Sequence, residues 1–333
     1  MDMSVRTALS LIVLLVLAMM PFVASPYAVF ICAQMITLIY IAASLQMSFA
    51  YARILSFMQG TFFGLGSYIA CLTHRSGLGL PFMLLGAVVA SGSLGFLVGL
   101  VVTRMKAAHT AVICTLLVAT IVLMCANSFV EITGGEDGLA LRGGSQLFGF
   151  AVAFGANRFT YCLAFLPLAA YFIYIMLAER TTFGIVMKAV GSNEVRAAQL
   201  GYQVWLRHLA VFAVASGIAG YGGAMNAVVL EHVSSALFDP NLSLTAVLWA
   251  AVGGLAHPFG ALFGAVVVFP LTELAARTFK YVDIAVGALL IAAALLFPQG
   301  VAGLIGERRL RNVIRRNSKE VAADGRKSHS QAA

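Results

Sequence analysis

Charge is what this sequence has least of. Asp, Glu, Lys and Arg together make up 10% of its 333 residues, against roughly 25% in an ordinary soluble domain. Hydrophobic residues make up 61% and mean hydropathy is +0.95, so a water-soluble core is excluded. Catalytic motifs are missing too: the chain has no G-x-x-x-x-G-K-[ST] phosphate loop, no H-E-x-x-H zinc pair and no G-x-S-x-G nucleophile turn. Its histidines are scattered singly. Cys32, Cys71, Cys114, Cys125 and Cys162 all lie in apolar runs without metal-ligand spacing. They read as small packing residues, so no metal, cofactor or disulfide framework is expected. Glu131, Glu231 and Glu273 fall near the ends of apolar runs rather than deep within them, which disfavours a proton-coupled carrier.

What the chain does have is apolar runs of near-membrane length, about 20 residues per helical span. The reading is an all-α polytopic membrane protein of about ten transmembrane helices, some short or broken. The spans are Ala8 to Ala24, Ala28 to Ala50, Leu55 to Leu72, Pro81 to Thr103, Ala108 to Val130, Phe159 to Ala178, His208 to Leu230, Leu242 to Leu255, Gly260 to Ala276 and Val282 to Phe297. The eighth and ninth are short enough to form one hairpin of half-length helices, which leaves nine or eleven crossings open. With the amino terminus inside, only Arg75, Arg142, Arg158, Arg277 and Lys280 of the 21 basic residues fall in outer loops. Both termini are therefore expected in the cytoplasm. Arg6 ahead of the first run resembles a signal peptide, but Pro26 and the lack of a small-x-small site favour retention of that run as a span. Residues 1–306 read as the transmembrane domain and 307–333 as a basic cytoplasmic tail, largely disordered. That tail supplies much of the +8 net charge. Its basic residues suit topology and anionic lipid rather than nucleic acid.

Two apolar regions are rich in glycine: Ser56 to Ala70, with Gly60, Gly64 and Gly66, and Ser216 to Ala227, with Gly220, Gly222 and Gly223. Close helix packing of the small-x-x-x-small kind explains them, as it does Gly95 with Gly99 and Gly260 with Gly264. The alternative is a pair of broken helices around a substrate path near the membrane midplane, with Ser56, Gln59, Ser67 and Tyr68 as polar contacts.

The segment 179–207 is out of place between apolar flanks. It holds Glu179, Arg180, Lys188, Glu194, Arg196 and Arg207. Phe183, Val186, Met187 and Val190 share one helix face. After them, Ser192 or Asn193 can cap a helix of about two turns that starts at Glu194, where the dipole favours an acid, and ends before Gly201 at the C′ position. A helix that short is marginal alone. It is either a connector on the membrane surface or a helix that docks into a groove on a cytoplasmic partner.

At this helix the pattern Glu194, Ala197, Ala198, Gly201 resembles the coupling loop of bacterial ATP-binding-cassette importer permeases. Over nearly its full length the sequence is similar to the branched-chain amino-acid permease family, LivM type. "LSFMQGTFFGLGSYIA" resembles that family's L-S-L-G-x-A-x-F-F-G-I-G-A-Y stretch, and "GGLAHPFGALFGA" its G-G-x-G-T-x-W-G-P-x-x-G-A. "FPQGVAGL" resembles the closing P-x-G-L-x-G-L. The segment "TGGEDGL", with Thr133, Gly134, Gly135, Asp137 and Gly138, resembles the outer-loop T-G-G-x-D-G-L.

The resemblance implies half of a pore in the bacterial inner membrane. Its expected partners are a second, related permease of LivH type, two cytoplasmic ATPase subunits and a periplasmic substrate-binding protein. Glu194 and Arg196 would make polar contacts at the rim of the ATPase groove, Ala197 and Ala198 would allow close approach, and Gly201 would turn the chain back into the membrane. The chain departs from the family pattern at Arg53, Ile54, Met58, His257 and Pro258, which leaves urea, amides or another small solute as alternative cargo. The competing classes are a stand-alone secondary transporter or channel and, more remotely, a membrane-embedded enzyme.

Overall fold

The structure, a computed structural model, describes residues 3–105, 108–147, 150–155, 157–178, 181–192, 194–255, 259–278 and 287. Helices occupy nine of the ten expected spans: α1 (Met3–Val23), α2 (Pro26–Ala52), α3 (Gln59–Arg75), α4 (Leu80–Val102), α5 (Ala108–Ser128), α7 (Arg158–Ala178), α10 (Val204–Leu230), α11 (Pro240–Gly253) and α12 (Gly260–Thr278). Of the tenth, Val282 to Phe297, only Gly287 is among the described residues, and the tail lies outside them. Short helices α6 (Val130–Thr133), α8 (Thr182–Ser192) and α9 (Glu194–Gln199) join them. The chain is thus a mostly helical, polytopic membrane protein. By length and hydropathy α2, α4, α5, α7 and α10 can each cross a bilayer, whereas α11, with 14 residues, is too short.

The helical reading needs one amendment. Two small antiparallel pairs cap one end of the bundle: β1 (Leu139–Ala140) with β4 (His232–Val233), and β2 (Gly144–Leu147) with β3 (Phe150–Ala153). Strands of two to four residues give no readable alternation, so sequence pattern cannot find them. This is the hairpin end; the opposite one, carrying α8 and α9, is the α8 end.

Helix α10 is the central element, packed on α2, α3 and α4. Small residues make that possible. On α4 the buried stripe Ala87, Ser91, Gly95, Gly99 recurs every four residues, while Phe82, Leu85, Val89 and Leu97 face outward. A Cβ on Gly95 would overlap Ser216, and one on Gly220 would overlap Ser91. Helix backbones that approach this closely gain dispersion contacts, which substitute for the hydrophobic effect where lipid is the solvent. The large apolar side chains on the outer faces of α4 and α5 are what a membrane protein exposes.

Prolines inside two helices are answered by tyrosines from neighbouring ones. Pro21 in α1 and Pro167 in α7 each lack the N–H that would serve the carbonyl four residues back, Leu17 and Leu163 respectively. The Tyr161 hydroxyl donates to the Leu17 carbonyl at 2.7 Å, and the Tyr221 hydroxyl to the Leu163 carbonyl at 2.8 Å. Tyr40 adds a third, to the Ala164 carbonyl at 2.7 Å. A bare carbonyl in hydrocarbon is costly, so these hydroxyls favour the pairing of α7 with α1, α2 and α10.

Candidate substrate pathway and coupling surface

Helix α3 begins at Gln59, later than the expected Leu55, because residues 53–58 are unwound. Helix α2 ends at Ala52 with Arg53 as its cap in a left-handed conformation (φ 53°), and the chain re-enters the bundle through non-helical residues that end in a turn at Phe57 and Met58. Its backbone donors find side chains: the Met58 N–H donates to Ser56 Oγ at 3.1 Å and the Phe57 N–H to Thr115 Oγ1 at 3.2 Å. The first turn of α3 is then held by a buried polar cluster. Ser44 Oγ donates to Gln59 Oε1 at 3.0 Å, Gln59 Nε2 donates to Ser48 Oγ at 3.3 Å, and the Gly60 N–H donates to Ser243 Oγ on α11 at 2.8 Å. Nearby, Gln46 Oε1 accepts the Ala261 N–H at the start of α12 at 2.6 Å, while its Nε2 has no partner among the described residues.

The second glycine-rich region behaves differently. Helix α10 runs unbroken from Val204 to Leu230, as close helix packing requires and unlike the alternative of a second broken helix. Its glycines serve contact. A Cβ on Gly223 would strike the Phe63 carbonyl, one on Gly222 would strike Tyr40, and Gly66 faces Gly220. Ser67 on α3 donates to the Gly223 carbonyl at 2.8 Å. Gly64 lies against Phe238 of a 3-10 turn (Ser235–Phe238), on whose ring Tyr68 stacks at 5.3 Å. The Tyr68 hydroxyl is buried without a partner among the described residues. Ser56, Gln59 and Ser67 thus each have a hydrogen-bond partner within the protein, whereas the Tyr68 hydroxyl has none among the described residues.

Sequence reasoning missed Thr37, Ser44 and Ser48, although their spacing puts all three on one face of α2. It also missed Asn226, whose Oδ1 accepts from Thr37 Oγ1 at 3.1 Å, and Ser243. Single hydroxyls in apolar runs give a weak signal, since they also bond their own helix backbone, as Ser44 does to the Ile41 carbonyl at 2.7 Å.

At the α8 end, Met187 and Val190 are buried and Val186 is half-buried, as the shared face requires; the Phe183 side chain is outside the described set. The Arg53 guanidinium lies 5.7 Å from the Phe49 ring and donates from Nε to the Gly191 carbonyl at 3.2 Å, tying α8 to α2. Helix α9 follows. Ser192 ends α8 rather than capping α9, and Asn193 is outside the described residues. The Tyr202 N–H donates to the Ala197 carbonyl and the Gly201 N–H to the Ala198 carbonyl, with Gly201 at φ +86°. These two bonds make a Schellman close with glycine at C′. Ala197 is buried, whereas Arg196, Ala198, Gln199 and Leu200 are exposed.

At the hairpin end, Gly134, Gly135 and Gly138 all have positive φ, a conformation that glycine adopts without strain. Thr133 Oγ1 donates to the Ala126 carbonyl at 2.6 Å and accepts the Gly135 N–H at 3.1 Å. The Asp137 carbonyl lies 3.0 Å from His232 Nε2, and a Cβ on Gly138 would overlap the Val233 carbonyl. The motif is a tight turn that seats β1 beside β4.

A family model described as "Branched-chain amino acid transport system / permease component" matches residues 3–297. The chain belongs to this family. It is 26% identical over 321 residues to the high-affinity branched-chain amino acid transport system permease proteins LivM of Salmonella typhimurium and Escherichia coli, covering 90% of this chain and 75% of each relative. It is 25% identical over 292 residues to the probable branched-chain amino acid transport permease protein LivH of Methanocaldococcus jannaschii, covering 80% of this chain and 89% of the relative. No solved structure matches. Of the positions where this permease departs from the family pattern, Arg53 is committed to α8 and Met58 is fully buried against the α3 core. His257 and Pro258 lie outside the described residues.

Proposed function

We propose that the chain is a transmembrane permease subunit of an ATP-binding-cassette importer, forming half of a pore for branched-chain or other small amino acids. ATP is hydrolysed on two partner subunits at the cytoplasmic α8 end. A periplasmic binding protein delivers solute at the hairpin end, a related permease of LivH type supplies the other half-pore, and the assembly sits in the bacterial inner membrane. The observation that carries this reading is α9, a six-residue helix closed by Gly201 that buries Ala197 yet leaves Ala198, Gln199 and Leu200 exposed. A helix of that length does not persist in water; a groove on a partner would hold it.

Force applied to α9 has a defined path into the membrane. Helix α8 is fixed to the end of α2 through Arg53 and through Met187, which packs with Ile54 and Met58. The unwound residues 53–58 are the soft point beneath it, and their displacement shifts the start of α3 against Ser243 of α11. Rigid helices on either side of a soft segment are the usual construction of a hinge. Glu194 and Arg196 supply polar contacts at the groove rim, and Ala198 permits close approach of the partner's backbone. Amino acids are favoured over urea or amides because, of the positions that raised the alternative, Met58 is buried in the core and the Arg53 guanidinium is committed to the Gly191 carbonyl.

Co-expression with the candidate ATPase subunits tests the assignment. The subunits should co-purify with the native chain and be lost in Ala198→Trp and Glu194→Lys, while both variants still insert in the membrane. Uphill uptake by the lone chain in vesicles without nucleotide would instead establish a stand-alone transporter.

A further inference from the structure

A slot of about 210 Å³ lies between α2, α7, α8 and α10, at the α8 end. It is lined by Met47 and Tyr51, by Ile175 and Ala178, and by Val211 and Val214, among others. Along α10 it runs from Ala210 to Ile218, about 12 Å at 1.5 Å per residue. It therefore spans less than half of a hydrocarbon core about 30 Å thick.

The slot is blind. One turn beyond Ile218, the Tyr221 hydroxyl bonds the Leu163 carbonyl of α7, and Tyr40 of α2 bonds the adjacent Ala164 carbonyl while its ring lies 5.3 Å from that of Tyr221. Helices α2, α7 and α10 are tied together there. A partner's membrane-spanning helix, about 10 Å across, needs a groove that continues through the bilayer, and this one stops. A single flexible hydrocarbon chain entering from the α8 end fits an apolar slot of this length that is blocked at its far end.

The mouth carries the complement of an anionic headgroup. Arg207 lies on the same α10 stripe as Val211, Val214 and Ile218, one turn outward. Its guanidinium sits 4.9 Å from the Tyr202 ring, and no carboxylate among the described residues pairs with it. Tyr174, 60% exposed, stands on the opposite lip within a turn of the end of α7, where an amphipathic ring suits the interface. We propose that this slot binds one acyl chain of an anionic phospholipid from the leaflet at the α8 end, with its phosphate at Arg207. Since Gly184 and Met187 of α8 border the mouth, the lipid would hold the α8 to α9 segment against the membrane surface, whatever solute the chain carries.

The test uses the full chain in nanodiscs of phosphatidylcholine, with a trace of phosphatidylglycerol or phosphatidylcholine bearing a diazirine at mid-chain. Phosphatidylglycerol should label the peptides containing residues 171–178 and 210–218 severalfold more than phosphatidylcholine does. Val214→Trp, or Ile218→Phe if the first fails to fold, should fill the slot and remove that label, leaving labelling around Leu97 on α4 unchanged. Arg207→Gln should abolish the preference between the two lipids. Equal labelling of the slot and the α4 face by both lipids, or label that survives slot filling, overturns the proposal. So does label lost on co-expression with a second permease, which would make the slot a subunit interface.

Discussion

The Tyr221 hydroxyl on α10 donates at 2.8 Å to the Leu163 carbonyl on α7, which Pro167 deprives of its helical donor. Tyr161 and Leu17 repeat the arrangement beside Pro21. Each proline thus opens a helix at one carbonyl, and a neighbouring helix closes it.

Removing only the donor should expose the debt. Tyr221→Phe leaves the Leu163 carbonyl without its partner and should cost about 1–3 kcal/mol of stability, read as a lower midpoint in detergent thermal unfolding. Pro167→Ala restores the helical N–H, so Tyr221→Phe made in that background should cost well under half as much. Equal costs in both backgrounds would show that the hydroxyl does not serve that carbonyl.

Glycine contacts give a paired comparison within one bundle. A Cβ on Gly223 meets the Phe63 backbone, which cannot move aside, whereas one on Gly86 sits 3.5 Å from the Ile69 side chain, an ordinary contact. Gly223→Ala should destabilise by at least about 1–3 kcal/mol through overpacking. Gly86→Ala should be neutral or stabilising by up to about 1 kcal/mol, since helical glycine carries an entropic cost. Retention of a monodisperse chromatographic peak after graded heating separates the two outcomes.

Ser243 accepts from the Gly60 N–H at the first turn of α3 and is fully buried. Ser243→Ala strands that donor and should cost about 1–3 kcal/mol. Ser93, exposed and bonded only to its own helix at Val89, is the control: Ser93→Ala should change stability by less than about 0.5 kcal/mol. Hydrogen exchange at residues 56–62 should rise in the first variant and not in the second. Identical exchange in both would mean that Ser243 does not anchor the start of α3.

Gly201 has open space where a Cβ would go, so its requirement is purely conformational. Gly201→Val should weaken the close of α9 by about 1–2 kcal/mol, the cost of left-handed backbone in an L-residue, and should lower recovery of co-purified ATPase subunits. Gly201→Asn, which tolerates that conformation better, should recover most of the loss. If valine and asparagine behaved alike, backbone conformation would not be what position 201 contributes.

Much of this was legible in the chain itself. Mean hydropathy and run length specify a helical membrane protein, because backbone polar groups in lipid must be satisfied within each segment. Gly201 as a helix terminator and Met187 with Val190 as a buried face follow from local periodicity and capping, which depend only on neighbours in sequence. The two glycine-rich regions did not separate in sequence: composition is alike at Gly60 to Gly66 and Gly220 to Gly223, yet only the first adjoins an unwound segment. What decides it is contact from elsewhere. Ser44, Ser48, Thr115 and Ser243 supply hydrogen bonds to Phe57, Gln59 and Gly60 that let residues 53–58 leave the helix, whereas α10, packed on α2, α3 and α4, stays unbroken. Likewise Pro21 and Pro167 are visible in any reading of the chain, but the tyrosines that answer them lie 140 and 54 residues away in sequence. The sequence by itself determined where the described helices lie and the amphipathic segment between α7 and α10, since those rest on local chemistry. Only the tertiary structure decided which helix breaks and which hydroxyl meets which carbonyl, since those bonds join distant residues and local sequence carries no record of them.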